Sequence, residues 1–147
     1  MKRERVLFDT SVLVAAMTEK HHWHGRALLW LKRSLAGEIA LVVAAHSLAE
    51  TYAVLTALPA RPRISPTAAA RLIRENIEGN AEVVSLTASD YALVVRQLSE
   101  LGLSGGAIYD ALIARAAQRS RADRLLTFNP GDFLRVWPGG AAFLTVP

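Results

Sequence analysis

The sequence predicts an α/β layer fold, with a mainly parallel central sheet covered by helices on both faces. Three observations carry this. Short apolar runs suited to buried strands alternate with segments of helical periodicity along the 147 residues. Cap-forming and helix-stopping residues stand at the joins. Apolar residues make up 52% of the chain and charged residues 20%, which suits a sheet buried on both faces and excludes a disordered or acidic solvating segment. A chain of this length, read as one domain over 1–147, buries a core without staples.

The first strand is the apolar run Arg5–Phe8, closed by Asp9. Thr10 and Ser11 read as caps for a helix over Ser11–Met17, and Thr18–Lys20 as a loop. A second helix spans His22–Leu35, with Ala27, Leu28, Leu31 and Leu35 at helical spacing and Gly37 as its stop. The second strand is Ile39–Val43 and the third helix Ser47–Ala57. A stiff basic loop, 59–63, precedes a helix with Ser65 as cap and Pro66 in its first turn, running to Glu78. Glu82–Ser85 is a short strand, and Thr87 caps a helix that runs to Leu101. Beyond the flexible loop Gly102–Gly106, the Ala-rich segment Ala107–Arg119 is strongly helical. Arg124–Thr127 is a strand, 129–131 a turn, and Ala142–Val146 the last strand.

The absence of cysteine excludes disulfides, zinc–thiolate sites, iron–sulfur clusters and a cysteine nucleophile. Residues 39–58 carry one charge, Glu50, but divide into a Val-rich strand and a helix start rather than a membrane span. The basic head and apolar stretch at the start are interrupted by Asp9 before any signal-like core, so the expectation is mature, soluble, cytoplasmic protein. There are 17 cations against 13 anions, and only Lys2, Lys20 and Lys32 are lysine. An Arg-dominated excess with a pI of about 10.0 leans toward phosphate or carboxylate recognition.

Most of the acids, Asp90 and Asp123 among them, sit where a solvated-surface reading suffices. Asp9, Glu50 and Asp110 do not. Asp9 directly follows a strand that should be buried. Glu50 has Ala53, Val54 and Ala57 as helical neighbours, and Asp110 has Ala107, Ile113, Ala114 and Ala117. A carboxylate on a packed face is costly unless compensated, so a cap or a buried ion pair is the structural alternative for each. Together with Asp132, beyond the strand ending at Thr127, they fall at the carboxyl ends of strands or the helix starts that follow. In an open α/β sheet that is the ligand crevice. Four carboxylates at close range raise one another's pKa. A divalent cation resolves the conflict, and an all-oxygen set without cysteine selects Mg²⁺, with Mn²⁺ as substitute.

At these residues the sequence resembles the PIN-domain family, most closely the VapC-type toxin ribonucleases of bacterial toxin–antitoxin pairs. The matching segments are Phe8-Asp9-Thr10-Ser11-Val12-Leu13, Leu48-Ala49-Glu50-Thr51, Tyr109-Asp110-Ala111-Leu112-Ile113-Ala114, and Leu125 to Phe133 with Asn129 and Asp132 inside it. The resemblance implies an α/β/α sandwich and Mg²⁺-dependent RNA cleavage. It implies metal-coordinating roles for Asp9, Glu50, Asp110 and Asp132, and supporting hydrogen bonds from Thr10 or Ser11 and Thr127. Many relatives carry Asp where this chain has Asn129, so either Asn129 or Asp132 approaches the metal. A cognate VapB-like antitoxin and a homodimer are implied as partners. In the mechanism this suggests, a metal-activated water attacks the phosphodiester and Glu50 accepts the proton.

Arg61 and Arg63, with Arg71 and Arg74, form one basic stretch, and Arg115 and Arg119, with Arg121 and Arg124, another. These are candidate contacts to the RNA backbone, against a solvated helix surface as the plainer reading. His21, His22 and His24 resemble a metal cluster, but their spacing is wrong for one helix face and they read as capping and packing groups. Trp23 and Trp30, seven apart, read as packing residues. No Gly-rich phosphate loop with Lys-Ser/Thr and no Gly-x-Ser-x-Gly elbow is present. The alternative function from another class is a non-catalytic PIN-like module that binds RNA or a partner. Intact acids at all four places argue against it.

Overall fold

The computed structural model describes residues 2–59 and 61–147; Ala60, in the basic loop, lies outside the described residues. Five strands, β1 (Glu4–Phe8), β2 (Ile39–Ala44), β3 (Glu82–Val84), β4 (Arg124–Leu126) and β5 (Leu144–Thr145), form one sheet in the order β3-β2-β1-β4-β5. Every neighbouring pair is parallel. Among the described residues seven α-helices connect them: α1 (Thr10–Met17), α2 (His24–Leu35), α3 (Ala45–Ala57), α4 (Pro66–Ile73), α5 (Ala88–Leu101), α6 (Ala107–Arg119) and α7 (Pro130–Val136). The predicted three-layer architecture is therefore observed, and the sheet is parallel throughout.

Period-two alternation explains why both faces are covered. Val6 and Phe8 of β1, Leu41 and Val43 of β2 and Leu126 of β4 share one core with Val12, Leu13, Ala27 and Leu31. Leu7, Val42 and Leu125 point the other way, into a core with Ile113, Ala114, Ala117 and Phe133. The strand order reverses between β1 and β4, so the crevice outside their carboxyl ends is where a ligand site is expected in such sheets. Asp9 and Thr127 are the residues that follow those two strands.

Several local expectations are corrected. Asp9, not Thr10 or Ser11, caps α1: its Oδ1 accepts from the Val12 N–H at 2.9 Å. α3 starts at Ala45, so Glu50 lies in the second turn. Its neighbours Ala53, Val54 and Ala57 are exposed, because the buried stripe is Ser47, Thr51 and Leu55. The helix from Pro66 loosens into a π-helical turn over Arg74–Glu78. The expected turn at 129–131 is the start of α7. Pro130 occupies its first position, where the missing N–H is no loss. A 3₁₀ helix over Pro138–Phe143 leaves only two residues of the last expected strand.

Asp90 is buried rather than solvated. It completes a capping box with Thr87 and accepts from Arg115 Nε at 2.9 Å, and Arg119 Nε stands 3.6 Å away. The Thr87 backbone N–H, followed by the Arg115 guanidinium, holds its carboxyl down to about 2. Trp23 stacks on Phe128 with centroids 4.5 Å apart, and Trp30 packs on the same core. His21 Nδ1 accepts from the Trp23 N–H, and His24 Nδ1 donates to the Ala15 carbonyl, so these imidazoles tie the α1–α2 corner together. Among the described residues no helix is long and apolar enough to cross a membrane. Residues 39–58 are β2 and α3.

Candidate active site

Asp9 is the most constrained acid. It is 3% exposed, and hydroxyls hold both its oxygens. Ser11 Oγ donates to Oδ1 at 2.6 Å and Thr127 Oγ1 donates to Oδ2 at 2.6 Å. Thr127 in turn accepts from the Asn129 N–H at 2.9 Å. Local sequence dictates half of this: an acid between a strand and a helix becomes the cap, and Ser at the second helical position reaches back to it. The other half comes from β4 pairing with β1, where Phe8 lies opposite Leu126 and the next residues of both strands meet. Burial still pushes the Asp9 carboxyl above its usual range, against the pull of Ser11, Thr127 and Val12, with the Glu50 charge adding to the rise.

Thr10 takes a different part from Ser11. Its hydroxyl donates to Ser47 Oγ at 3.1 Å and so joins the start of α1 to the start of α3. Glu50, half-buried, is pushed up by burial, while His46 and the Thr10 hydroxyl pull it back. His46 Nε2 lies 3.1 Å from Glu50 Oε1 but out of line, and neither atom has a hydrogen-bond partner. Asp110, in the first turn of α6, is raised to about 6, by burial first and then by the charges of Asp132, Asp9 and Glu50; Arg135 opposes the rise. Asp132 is exposed in the first turn of α7. Each acid sequence reasoning selected thus lies in the electrostatic field of Asp110. Asn129 contributes its backbone N–H to Thr127, and its side chain does not cap α7.

As they stand, no three His, Asp or Glu side chains among the described residues converge closely enough to ligate one ion. The site nonetheless fits a hard divalent cation on two counts. The buried Glu50 Oε1 is unpartnered, and a carboxylate oxygen buried without a donor is costly. The donor set is all carboxylate; burial raises Asp9, Glu50 and Asp110 alike, and neighbouring acid charges add to the rise at Asp9 and Asp110. Mg²⁺ keeps several waters and needs few direct protein ligands.

The sign of the Asp110 shift gives a test. A carboxyl raised to about 6 when folded binds its proton more tightly than in the unfolded chain. Its unfavourable contribution is therefore full above pH 6 and fades as pH falls toward the unfolded value near 4. In metal-free protein, Asp110→Asn is expected to raise Tm at pH 7.5 and to change little at pH 4. Thermal melts in EDTA at both pH values check this; an equal gain at both contradicts it.

Of the candidate RNA contacts, Arg61 and Arg63 are exposed on the α3–α4 connection, with Lys20 Nζ reaching the Arg61 carbonyl at 3.4 Å. Arg115 is committed to Asp90, and Arg119, 47% exposed, lies beside the same carboxylate. Sequence reasoning missed Ser47, His46 and Tyr109 near the acids, and Arg135 on α7. No spacing signal marks them, because each is brought in by helix packing.

Comparison with known proteins agrees with this geometry. The model of the family described as "PIN domain" matches residues 6–136. The chain is 36% identical over 115 residues to Ribonuclease VapC27 of Mycobacterium tuberculosis, covering 78% of each. It is 37% identical over 119 residues to Ribonuclease VapC40 of the same species, covering 81% of this chain and 82% of that one. The solved structure of VapBC2 from Rickettsia felis, bound to a DNA fragment from their promoter, superposes with a TM-score of 0.64 at 19% identity. The match covers 97% of this chain and 98% of that one, and supports the fold. The strand order, the carboxylates beyond β1 and β4 and these likenesses agree: the chain belongs to the PIN-domain family, among the VapC-type ribonucleases.

Proposed function

We propose that the chain is a Mg²⁺-dependent endoribonuclease, the toxin of a toxin–antitoxin pair, acting in the cytoplasm as a homodimer restrained by a VapB-like antitoxin. The observation that carries the nuclease reading is the set of four acids at one end of the sheet, with Asp9 fixed by Ser11 and Thr127 and Asp110 raised to about 6 by burial first and then by the neighbouring acids. The names of the VapC relatives supply the substrate class, RNA.

Asp9, Glu50, Asp110 and Asp132 would hold Mg²⁺, or Mn²⁺ in its place. When bound, the ion lowers the pKa of a water and neutralises charge on the scissile phosphodiester. Ser11, Thr127 and the Val12 N–H fix the orientation of the Asp9 carboxylate, so it needs no reorganisation on substrate binding. Glu50 has one oxygen free of hydrogen bonds and a pKa raised by burial. That suits it to accept the proton of the attacking water. Of the last motif, the Asp132 charge acts on Asp110, whereas Asn129 engages through its backbone N–H, which supports Asp132 as the metal-facing residue. Of the four candidate arginines, Arg61 and Arg63 are exposed and stand clear of the Asp90 network, which suits them to phosphate contacts and makes binding salt-dependent. Arg115 and Arg119 contribute through Asp90 to the frame that holds α6.

Purified protein with single-stranded RNA tests this directly. Cleavage is expected with Mg²⁺, to stop in excess EDTA and to return on adding Mn²⁺. Cleavage that persists in EDTA overturns the reading.

A further inference from the structure

The His46 and Tyr109 rings stack across two helices at the rim of the carboxylate pocket, with centroids 5.0 Å apart and planes 7° apart. Tyr109 is 48% exposed, and neither ring belongs to any of the hydrophobic cores. A surface tyrosine is ordinarily free to turn about its first side-chain torsion; here the imidazole from α3 backs the phenol ring of α6 and holds it flat. The imidazole Nε2 itself lies 3.1 Å from Glu50 Oε1. Asp110 is the residue next to Tyr109 in the chain, and Glu50 lies one turn beyond His46. The platform is therefore built on the same two helices as Glu50 and Asp110.

We propose that Tyr109, backed by His46, is a stacking surface for one base of the RNA strand and positions that strand over the carboxylates. The proposal rests on the nuclease reading above. Electrostatics gives the reason. Four acids repel a polyanion wherever a cation does not neutralise them, so a contact indifferent to charge gains value beside them. Stacking on an aromatic face is such a contact and accepts any base. Arg135, one turn past Asp132 on α7 and in electrostatic reach of Asp110, adds a positive charge on the same side for the adjoining phosphate.

The experiment uses short single-stranded oligoribonucleotides in which one 2-aminopurine is moved stepwise along the strand. They are titrated against the full chain carrying Asp9→Asn, so that binding is read without cutting. Stacking is expected to quench the fluorescence at one strand position. Adding Tyr109→Leu, which keeps apolar bulk but no ring, abolishes the quench, and Tyr109→Phe restores it. In the otherwise unaltered chain Tyr109→Leu raises KM about tenfold, with kcat little changed, the loss of one base stack. Tyr109 is exposed, so circular dichroism and Tm of the Leu variant should match the parent. An unchanged quench and KM in Tyr109→Leu overturn the proposal. So does a changed oligomeric state in light scattering with KM unchanged, which assigns this face to a protein partner. If the chain cuts no RNA in Mg²⁺ while the Tyr109-dependent quench is present, the nuclease reading fails and the platform stands. If it cuts RNA and no strand position is quenched, the platform fails alone.

Discussion

Replacing Asp9 with asparagine is expected to lower RNA cleavage by on the order of 10²–10⁴-fold and to leave the fold in place. Asparagine is as good a helix cap as aspartate. Its amide oxygen can take the Ser11 hydroxyl and the Val12 N–H, as Asp9 Oδ1 does. Its amide nitrogen then faces Thr127, whose hydroxyl must turn from donor to acceptor while it also accepts from the Asn129 N–H. A hydroxyl has two acceptor sites, so it can take both N–H groups, but its own proton must then find another acceptor, a modest stability cost. The main loss is the negative charge a cation requires. Cleavage rates and thermal melts on the same preparations separate the two effects. Full activity in Asp9→Asn would remove this carboxylate from the mechanism, whereas a collapsed melt would show that its role is structural.

Phe133→Ala is expected to cost about 3–5 kcal/mol of folding stability. The ring is 1% exposed and lies in the core formed by Leu7, Val42, Ile113 and Leu125. It is the single buried side chain of α7, so the truncation opens a cavity and also detaches the helix that presents Asp132. Urea unfolding should show the stability loss, with a fall in Tm of roughly 10 °C for a chain of this size. At temperatures where the variant is folded, Mn²⁺ affinity measured by calorimetry should drop by about 10–100-fold, the scale seen when a ligand loses its support. Phe133→Leu keeps most of the volume and should restore both. A loss below about 1 kcal/mol would mean that α7 is held by other contacts.

How much of this was legible depends on which forces were local. Asp9 was readable because an apolar run that stops on Asp-Thr-Ser leaves an acid at the end of a buried strand. Asp110 was readable because Ile113, Ala114 and Ala117 mark its helix face as packed, and they are buried. Glu50 was selected partly for a wrong reason: Ala53, Val54 and Ala57 face outward, and what surrounds the acid is His46 and the start of α1. α7 was missed because Asn-Pro-Gly carries the composition of a turn, and a seven-residue helix with one buried side chain has little periodicity to show. The Asp90 network was invisible for another reason. Its partner Arg115 is 25 residues away and reaches it only because α5 packs on α6. The same holds for the stacked His46 and Tyr109.

The hydroxyl that holds the second oxygen of Asp9 comes from a residue 118 positions later in the chain. β1 is the first strand made and sits at the centre of the sheet, but its β4 neighbour and the helix bearing Asp132 follow only after β2, β3 and the helices α1 to α6. Parallel pairing over such a separation forms late in folding, because loop closure precedes any gain. A nascent chain therefore exposes its ribosome to no finished pocket. The pocket is complete only once β4 and the helix bearing Asp132 have been added and docked. For a nuclease of the kind proposed, the order of the strands is also a delay.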